Sequence, residues 1–285
     1  MKLAAIYTHW GDWELLAESM RNIEPLVDGT IQVFSYYSNF GEQDANNVYM
    51  GANRFNFEPD LSLTPAQNER AKRNFGLQKA REQGYTHFIN MDFDEFYERE
   101  PFLREKQRFI DNPELLGLVC GLRCYFKSPT MTVPDKTLVP FIHKLTPDLR
   151  FEWNPRYPFA FEGVKREIRI DPTRQLNINS NVIWSDIVMH HMSWVRSDVR
   201  KKIRNSTARQ NIEKSTISND YVMAKPGFYC EFYQATIESC ENLFNLPEII
   251  DHEFIKEYSA KSAEVGPNDS QDREPSEAAD STRPG

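Results

Sequence analysis

The stretch from Thr64 to Met91 constrains the fold more tightly than any other part of the chain. Thr64-Pro65-Ala66-Gln67 is a helix start. It offers a threonine cap, a proline at the first helical position, where the missing N–H costs nothing, and a glutamine placed to complete a capping box. The spacing predicts a helix to Gln83, with Gly84 as the residue that ends it. Tyr85 to Met91 then reads as a strand, and three carboxylates, Asp92, Asp94 and Glu95, follow within four positions. Upstream, KLAAIYTHW reads as a buried strand ending near Thr8. Trp13 to Ile23 carries apolar residues at helical spacing before Pro25, and TIQVFSYY after Gly29 reads as a second strand. Strand, helix, strand, helix, strand predicts an α/β sheet with right-handed crossovers, whose ligands bind outside the carboxyl ends of the strands. The carboxylates stand at such an end.

Downstream, LGLVCGLRCYF, LVPFIHKL, GVKREIRI and VIWSDIVMHHMSW read as strands, the third with the alternating faces of an edge strand. Ser197 to Lys214 reads as a basic helix and Pro247 to Tyr258 as a last amphipathic one, while Asn39 to Ser62 reads as a long, irregular, Asn-rich loop of the kind that carries function. From Ala260 to Gly285 three basic residues face six acidic ones with almost no large apolar side chain, a composition that cannot offset its ordering entropy. The expected organisation is one domain over 1–259, with an α/β front half at 1–100 and a mixed back half at 101–259, followed by a disordered acidic tail at 260–285.

Composition narrows the function classes. The formal charge of −8 argues against a surface given over wholly to nucleic acid. The aromatic excess, 19 Phe, 12 Tyr and 5 Trp, suits stacking on sugars or bases, and equally a dense core. No apolar run approaches the roughly 18 residues that cross a bilayer, and the N-terminus turns polar early, so a cytoplasmic protein is expected. The four cysteines lack zinc spacing. Cys120 and Cys124 on one strand would stand on the order of 13 Å apart by strand rise, which predicts reduced core thiols.

The carboxylates hold the chemistry. On an extended backbone Asp92 and Asp94 share a side, so the two aspartates converge if the strand persists one more step, while Glu95 points away or turns into the next segment. Converging carboxylates are costly to bury without a cation, and Mg²⁺ or Mn²⁺ carrying bound phosphates is the natural partner. The plainer reading, an acidic loop capping the next helix, suits Glu98 and Glu100 better.

An apolar strand closing on D-x-D, after a helix carrying Arg73-Asn74-Phe75-Gly76, resembles the nucleotide-sugar domain of GT-A glycosyltransferases, in particular the family 2-like group and its phage members. The later stretch Met189-His190-His191-Met192-Ser193-Trp194-Val195-Arg196 is similar to the H-x-S-W-V-R segment of such proteins. The resemblance covers most of residues 1–214. It implies a GT-A, Rossmann-like α/β fold with a central mixed, mostly parallel sheet flanked by helices, the nucleotide sugar, a UDP-sugar first, being bound by residues 1–100. It also implies Mn²⁺ or Mg²⁺ held by Asp94, with Asp92 as partner to ribose or metal and His191 as a further ligand. Thr8, His9 and Asp44 resemble positions that contact the nucleoside. Arg70 or Arg73 is placed to fork onto phosphate, and Arg196 to reach the diphosphate, the alternative for the two helix arginines being a solvated face. His190 and His191 face opposite ways on a strand, so one of them at most serves the metal.

An inverting transferase needs a carboxylate base for the acceptor hydroxyl. The E-D pair of the family is missing here, leaving Glu162, within the aromatic RYPFAFEG, and Asp186 as candidates. The acceptor is a hydroxyl-bearing molecule: a glycan, a lipid-linked saccharide or a hydroxymethylated DNA base, the last because Arg196, Arg200, Lys201, Lys202, Arg204 and Arg209 form a basic run. Two rival readings stand beside this one. The first is a haloacid-dehalogenase-like phosphatase with Asp92 as nucleophile, disfavoured by Phe96 where such enzymes carry Thr or Val; the other is a non-catalytic sugar- or nucleic-acid-binding module.

Overall fold

A computed structural model describes residues 1–11, 14–44, 53–154, 157, 169–207 and 209–264, with backbone alone at 169, 170, 210, 211 and 261–264. Strand β1 (Leu3–His9) lies between β2 (Gly29–Phe34) and β4 (His87–Met91), parallel to both, and β3 (Arg54–Asn56) extends the sheet beyond β2, again parallel. Beyond β4 the direction reverses. β7 (Met131–Lys144) runs antiparallel to β4 and to β6 (Gly117–Phe126). β9 (Val182–Trp194) then lies parallel to β6, and the two-residue β5 (Glu95–Phe96) closes the row antiparallel to β9. The path is β3-β2-β1-β4-β7-β6-β9-β5, with β8 (Arg169–Ile170) and a short strand at Glu238–Ser239 attached to β7. This is the expected α/β class with a mixed sheet.

Helices cover both faces. Leu3, Ala5, Tyr7, Ile89 and Met91 pack with residues of α1 (Leu16–Ile23) and α3 (Arg99–Asp111). The alternate residues Ala4, Ile6, Ile31, Val33 and Phe88 pack against Leu77 and Ala80 of α2 (Pro65–Glu82). Burial on both faces is why the parallel strands read as continuous apolar runs.

The α2 boundaries match the sequence chemistry. Thr64 and Gln67 form the reciprocal capping box, and Gly84 takes a φ of 71° just past the helix. Gly76 has a further reason to be glycine: a Cβ there would lie 2.5 Å from Ile6 Cγ2, so α2 rests directly on β1.

Several expectations need correction. Asn39 to Ser62 is not wholly irregular, because β3 lies within it. The basic helix is two, α4 (Val199–Asn205) and α5 (Arg209–Glu213), separated at Ser206. After α6 (Ile217–Met223), the last helix is α7 (His252–Glu264). It starts later than predicted because Asp251 caps it, its Oδ1 accepting from Phe254 N at 2.8 Å. It also runs through 260–264, assigned above to the tail, where Ala260, Lys261 and Ala263 are strong helix formers. Residues 265–285 lie outside the described residues. All four cysteines are free, with Cys120, Cys124 and Cys230 buried.

Candidate functional site

The site forms where β4 ends. The strand does not persist through Asp92; the chain turns, with Glu95 N donating to Asp92 O at 3.3 Å. Asp92 and Asp94 therefore do not converge. Each faces a different set of partners, and Glu95, expected to point away or turn into the next segment, is fully buried at the start of β5.

Asp92 lies on the α2 side. Its Oδ1 is 3.4 Å from Thr8 Oγ1 and 3.3 Å from Arg73 Nη2, and its Oδ2 is 2.6 Å from Arg174 Nη2. Arg73 is also tied to Glu69 at 2.9 Å, and Glu69 accepts from Asn39 Nδ2 at 2.9 Å. Burial opposes ionisation of Asp92, but the guanidiniums of Arg174 and Arg73 outweigh it and hold the carboxyl at about 2. Glu95 Oε2 accepts from Asp92 N at 3.0 Å and its Oε1 pairs with Arg174. Burial raises the Glu95 carboxyl above its ordinary value even against that arginine. The cations that three crowded carboxylates require are thus partly built into the chain.

Asp94 lies on the β9 side. Its Oδ2 accepts from Arg196 Nη2 at 2.7 Å, and Arg196 Nε is fixed by Ser193 O at 2.7 Å. Its Oδ1 stands 3.4 Å from His191 Nε2. That nitrogen has no hydrogen-bond partner among the described residues. Burial again opposes ionisation, and His191, Lys202 and Arg196 overcome it, holding the Asp94 carboxyl far below the usual carboxylate range. The β5–β9 register sets Glu95 opposite His191, which brings the ring to the turn. His190 faces the other side: its Nδ1 is 2.6 Å from Tyr125 Oη, and its ring packs edge-on against Phe244. Burial and Arg123 lower its imidazole to about 4, the profile of a core histidine.

The remaining sequence candidates divide. Thr8 and His9 end β1 as expected, both buried. Burial, Lys72 and Arg54 lower His9 to about 3, so it stands as a neutral ring stacked on Phe34. Asp44 is buried but bound to Lys201 Nζ at 3.2 Å, beside Gly11, whose φ of 60° lets the chain pass where a Cβ would lie 2.6 Å from Asp44 Oδ2. Arg70 is half-buried on α2 and pairs with none of the three carboxylates. Asp186 is exposed on β9, within a bulge where Trp184 and Val188 pair with residues only two apart on β6. It precedes His191 by about 16 Å of strand and is not brought to the turn. Glu162 lies outside the described residues.

Two residues escaped the sequence reading. Arg174 sits in an irregular segment, where a lone arginine carries no signal. Asp135, half-buried on β7, approaches Cys124 Sγ at 3.6 Å, and Cys124 in turn lies 4.0 Å from His191 Nδ1, so its carboxylate shares the His191 face of the sheet. The basic run proves largely paired. Arg196, Arg200, Lys201, Arg204 and Arg209 meet Asp94, Glu257, Asp44, Glu42 and Glu213.

Among the described residues no group of three or more His, Cys, Asp or Glu side chains could hold a metal ion. Asp94 Oδ1 and His191 Nε2, one carboxylate oxygen and one imidazole nitrogen, would suit a transition-metal cation such as Mn²⁺ better than Mg²⁺, with phosphate oxygens and water completing its shell. Asp92, with both oxygens engaged by arginines, fits that role less well. No helix among the described residues is long and apolar enough to cross a membrane.

No family model matches the chain, and no curated protein does. Solved structures with a similar arrangement include Staphylococcus aureus TarS, at 13% identity over 79% of this chain with a TM-score of 0.41. Residues 1–349 of the same protein give 14% identity over 78% of this chain, 75% of that one, with a TM-score of 0.39. A mannose-1-phosphate geranyltransferase from Thermus thermophilus gives 14% identity over 46% of this chain and 44% of that one, with a TM-score of 0.29. The chain spans 44% of the full TarS structure. Likenesses this distant do not bear on activity, which must be argued from the geometry.

Proposed function

We propose that the chain is a nucleotide-sugar-dependent glycosyltransferase that moves a sugar to a hydroxyl acceptor with the help of Mn²⁺ or Mg²⁺. The observation that carries this reading is the pair Asp94 Oδ1 and His191 Nε2, 3.4 Å apart at the carboxyl end of β4, the nitrogen having no hydrogen-bond partner among the described residues. Asp94 and His191 would hold the cation, with Arg196 keeping the second Asp94 oxygen from rotating away. A divalent cation bound there would supply positive charge for two phosphates and for the departing nucleoside diphosphate. Thr8 and His9 at the end of β1 face the nucleoside, a UDP-sugar being the first donor to test.

The acceptor hydroxyl must lose a proton, and a carboxylate on the His191 side serves best. Asp135 meets that requirement; Glu162 remains the other candidate, and the exposed bulge position of Asp186 does not favour it. The pairing of five of the six basic residues with carboxylates favours a saccharide or lipid-linked acceptor over duplex DNA. A phosphatase would need an Asp92 oxygen open for attack, whereas both are engaged by arginines.

The test is thermal unfolding with UDP- and GDP-sugars, with and without Mn²⁺, followed by mass analysis of candidate acceptors. A donor bound only by the native state raises the melting temperature. Stabilisation that requires both sugar nucleotide and metal is the expected result. Absence of any donor-dependent shift, with no transfer detected, would sink the reading.

A further inference from the structure

Arg174 reaches the turn from the segment 171–176 of the back half, and its root is fixed from several directions. Leu176 is fully buried and forms an antiparallel bridge with Phe151. Glu152 N donates to Gln175 O at 3.1 Å, and Gln175 Oε1 accepts from Asn154 N at 2.9 Å. Arg174 N donates to Asp171 O at 3.0 Å, while Asp171 Oδ1 takes bonds from Thr173 N and Oγ1, both at 2.8 Å. From this rigid root one guanidinium nitrogen meets both Asp92 and Glu95. Glu95 spends its other oxygen on Asp92 N, so the arginine closes a loop around the first half of the turn.

Asp94 lies between those two residues in the chain, and Glu95 is paired across to His191. Remove the guanidinium, and the buried Glu95 carboxylate stands without its arginine beside a half-buried Asp92 that keeps only Arg73. Repulsion then works to separate the two carboxylates, on both flanks of Asp94. We propose that Arg174 is a positioning residue for the turn: by binding Asp92 and Glu95 together, it fixes where Asp94 Oδ1 stands against His191 Nε2. Its catalytic consequence rests on the transferase reading above.

The test compares Arg174→Lys, Arg174→Met and the double variant Arg174→Met/Glu95→Gln, each measured for kcat, acceptor KM and melting temperature and each crystallised. A misplacement on the order of 1 Å costs about 100-fold, so Arg174→Met is expected to lower kcat by about that factor with little change in acceptor KM. Arg174→Lys restores only part of the loss, because it keeps the charge but not the guanidinium Nε that stands 3.6 Å from Asp171 Oδ2 and steadies the Nη2 contact to both carboxylates. The double variant, relieved of repulsion, regains its melting temperature but not its kcat. Wild-type kcat in Arg174→Met, or in the double variant, would overturn the proposal and leave Arg174 as a neutraliser of Glu95. If the wild-type protein shows neither donor binding nor transfer, the transferase reading fails separately. The crystal structures then decide: an Asp94–His191 separation unchanged in both Arg174→Met and the double variant overturns the positioning role, and a displaced Asp94 supports it.

Discussion

Asp92 and Asp94 are the same residue type, two positions apart in one turn, yet they live in opposite surroundings. Asp92 has both oxygens taken by guanidiniums delivered from α2 and from the 171–176 segment. Asp94 has one oxygen fixed by Arg196 and the other set beside an imidazole nitrogen that has no hydrogen-bond partner among the described residues. The first arrangement is that of an anchor; the second sets one carboxylate oxygen beside an imidazole, as the proposed cation site requires. Which role a carboxylate takes is therefore decided by the elements that reach it, not by its place in the motif.

The sharpest way to break the comparison is Asp94→Asn. Loss of charge on the poised side is expected to lower turnover by about 10³-fold, the scale of removing one group that stabilises developing charge. Stability should change little beside that. Asp92→Asn should do the reverse and take one carboxylate partner from each of two buried arginines, which keep Glu69 and Glu95, at a cost of about 2 kcal/mol in a denaturant titration. Equal effects on turnover and stability at both sites would erase the distinction. His191→Phe should weaken the Mn²⁺ dependence of donor binding at least about tenfold, read from thermal shifts across a metal titration.

Acid separates the Asp92 carboxyl from the buried imidazoles. The Asp92 carboxyl is held at about 2, so the native state binds fewer protons there, and its contribution to stability is lost only as pH falls below about 4. Burial lowers His143, which accepts or donates a bond with Tyr157 Oη at 2.7 Å, to about 3. Its unfolded counterpart titrates near 6.5, so its neutral form loses stability earlier, by up to about 1.4 kcal/mol per pH unit below that value. His143→Leu should reduce the slope of the stability profile between about pH 6 and 4, to which His9 and His190 also contribute, and leave the loss below pH 4 in place. The smallest effect is expected from Arg204→Gln, whose surface pair with Glu42 should matter by about 0.5 kcal/mol or less.

Much of the front half was legible because its signals are local. The capping box at Thr64, the stop at Gly84 and the apolar run before Asp92 each depend on neighbours within a few residues. β9 was legible in full for the same reason, as a long apolar and β-branched run. The partners of the carboxylates were not. Arg174 and Asp135 reach the site through tertiary packing, and the alternation that would have brought Asp92 and Asp94 together does not apply because the strand stops at Met91. The basic run was visible as composition, while its cancellation by Asp44, Glu42 and Glu257 requires the fold.

Gly76 has a reach beyond its own packing. Arg73 stands one turn before it on α2, and the helix touches β1 through the space a methyl group would fill. A Cβ there would also stand 3.3 Å from Val33 Cγ2, so a Gly76→Ala substitution must push aside either two core side chains or the helix that carries Arg73. The seat of a charged residue at the turn is thus tied to a carbon atom missing from the opposite, apolar contact of the same helix.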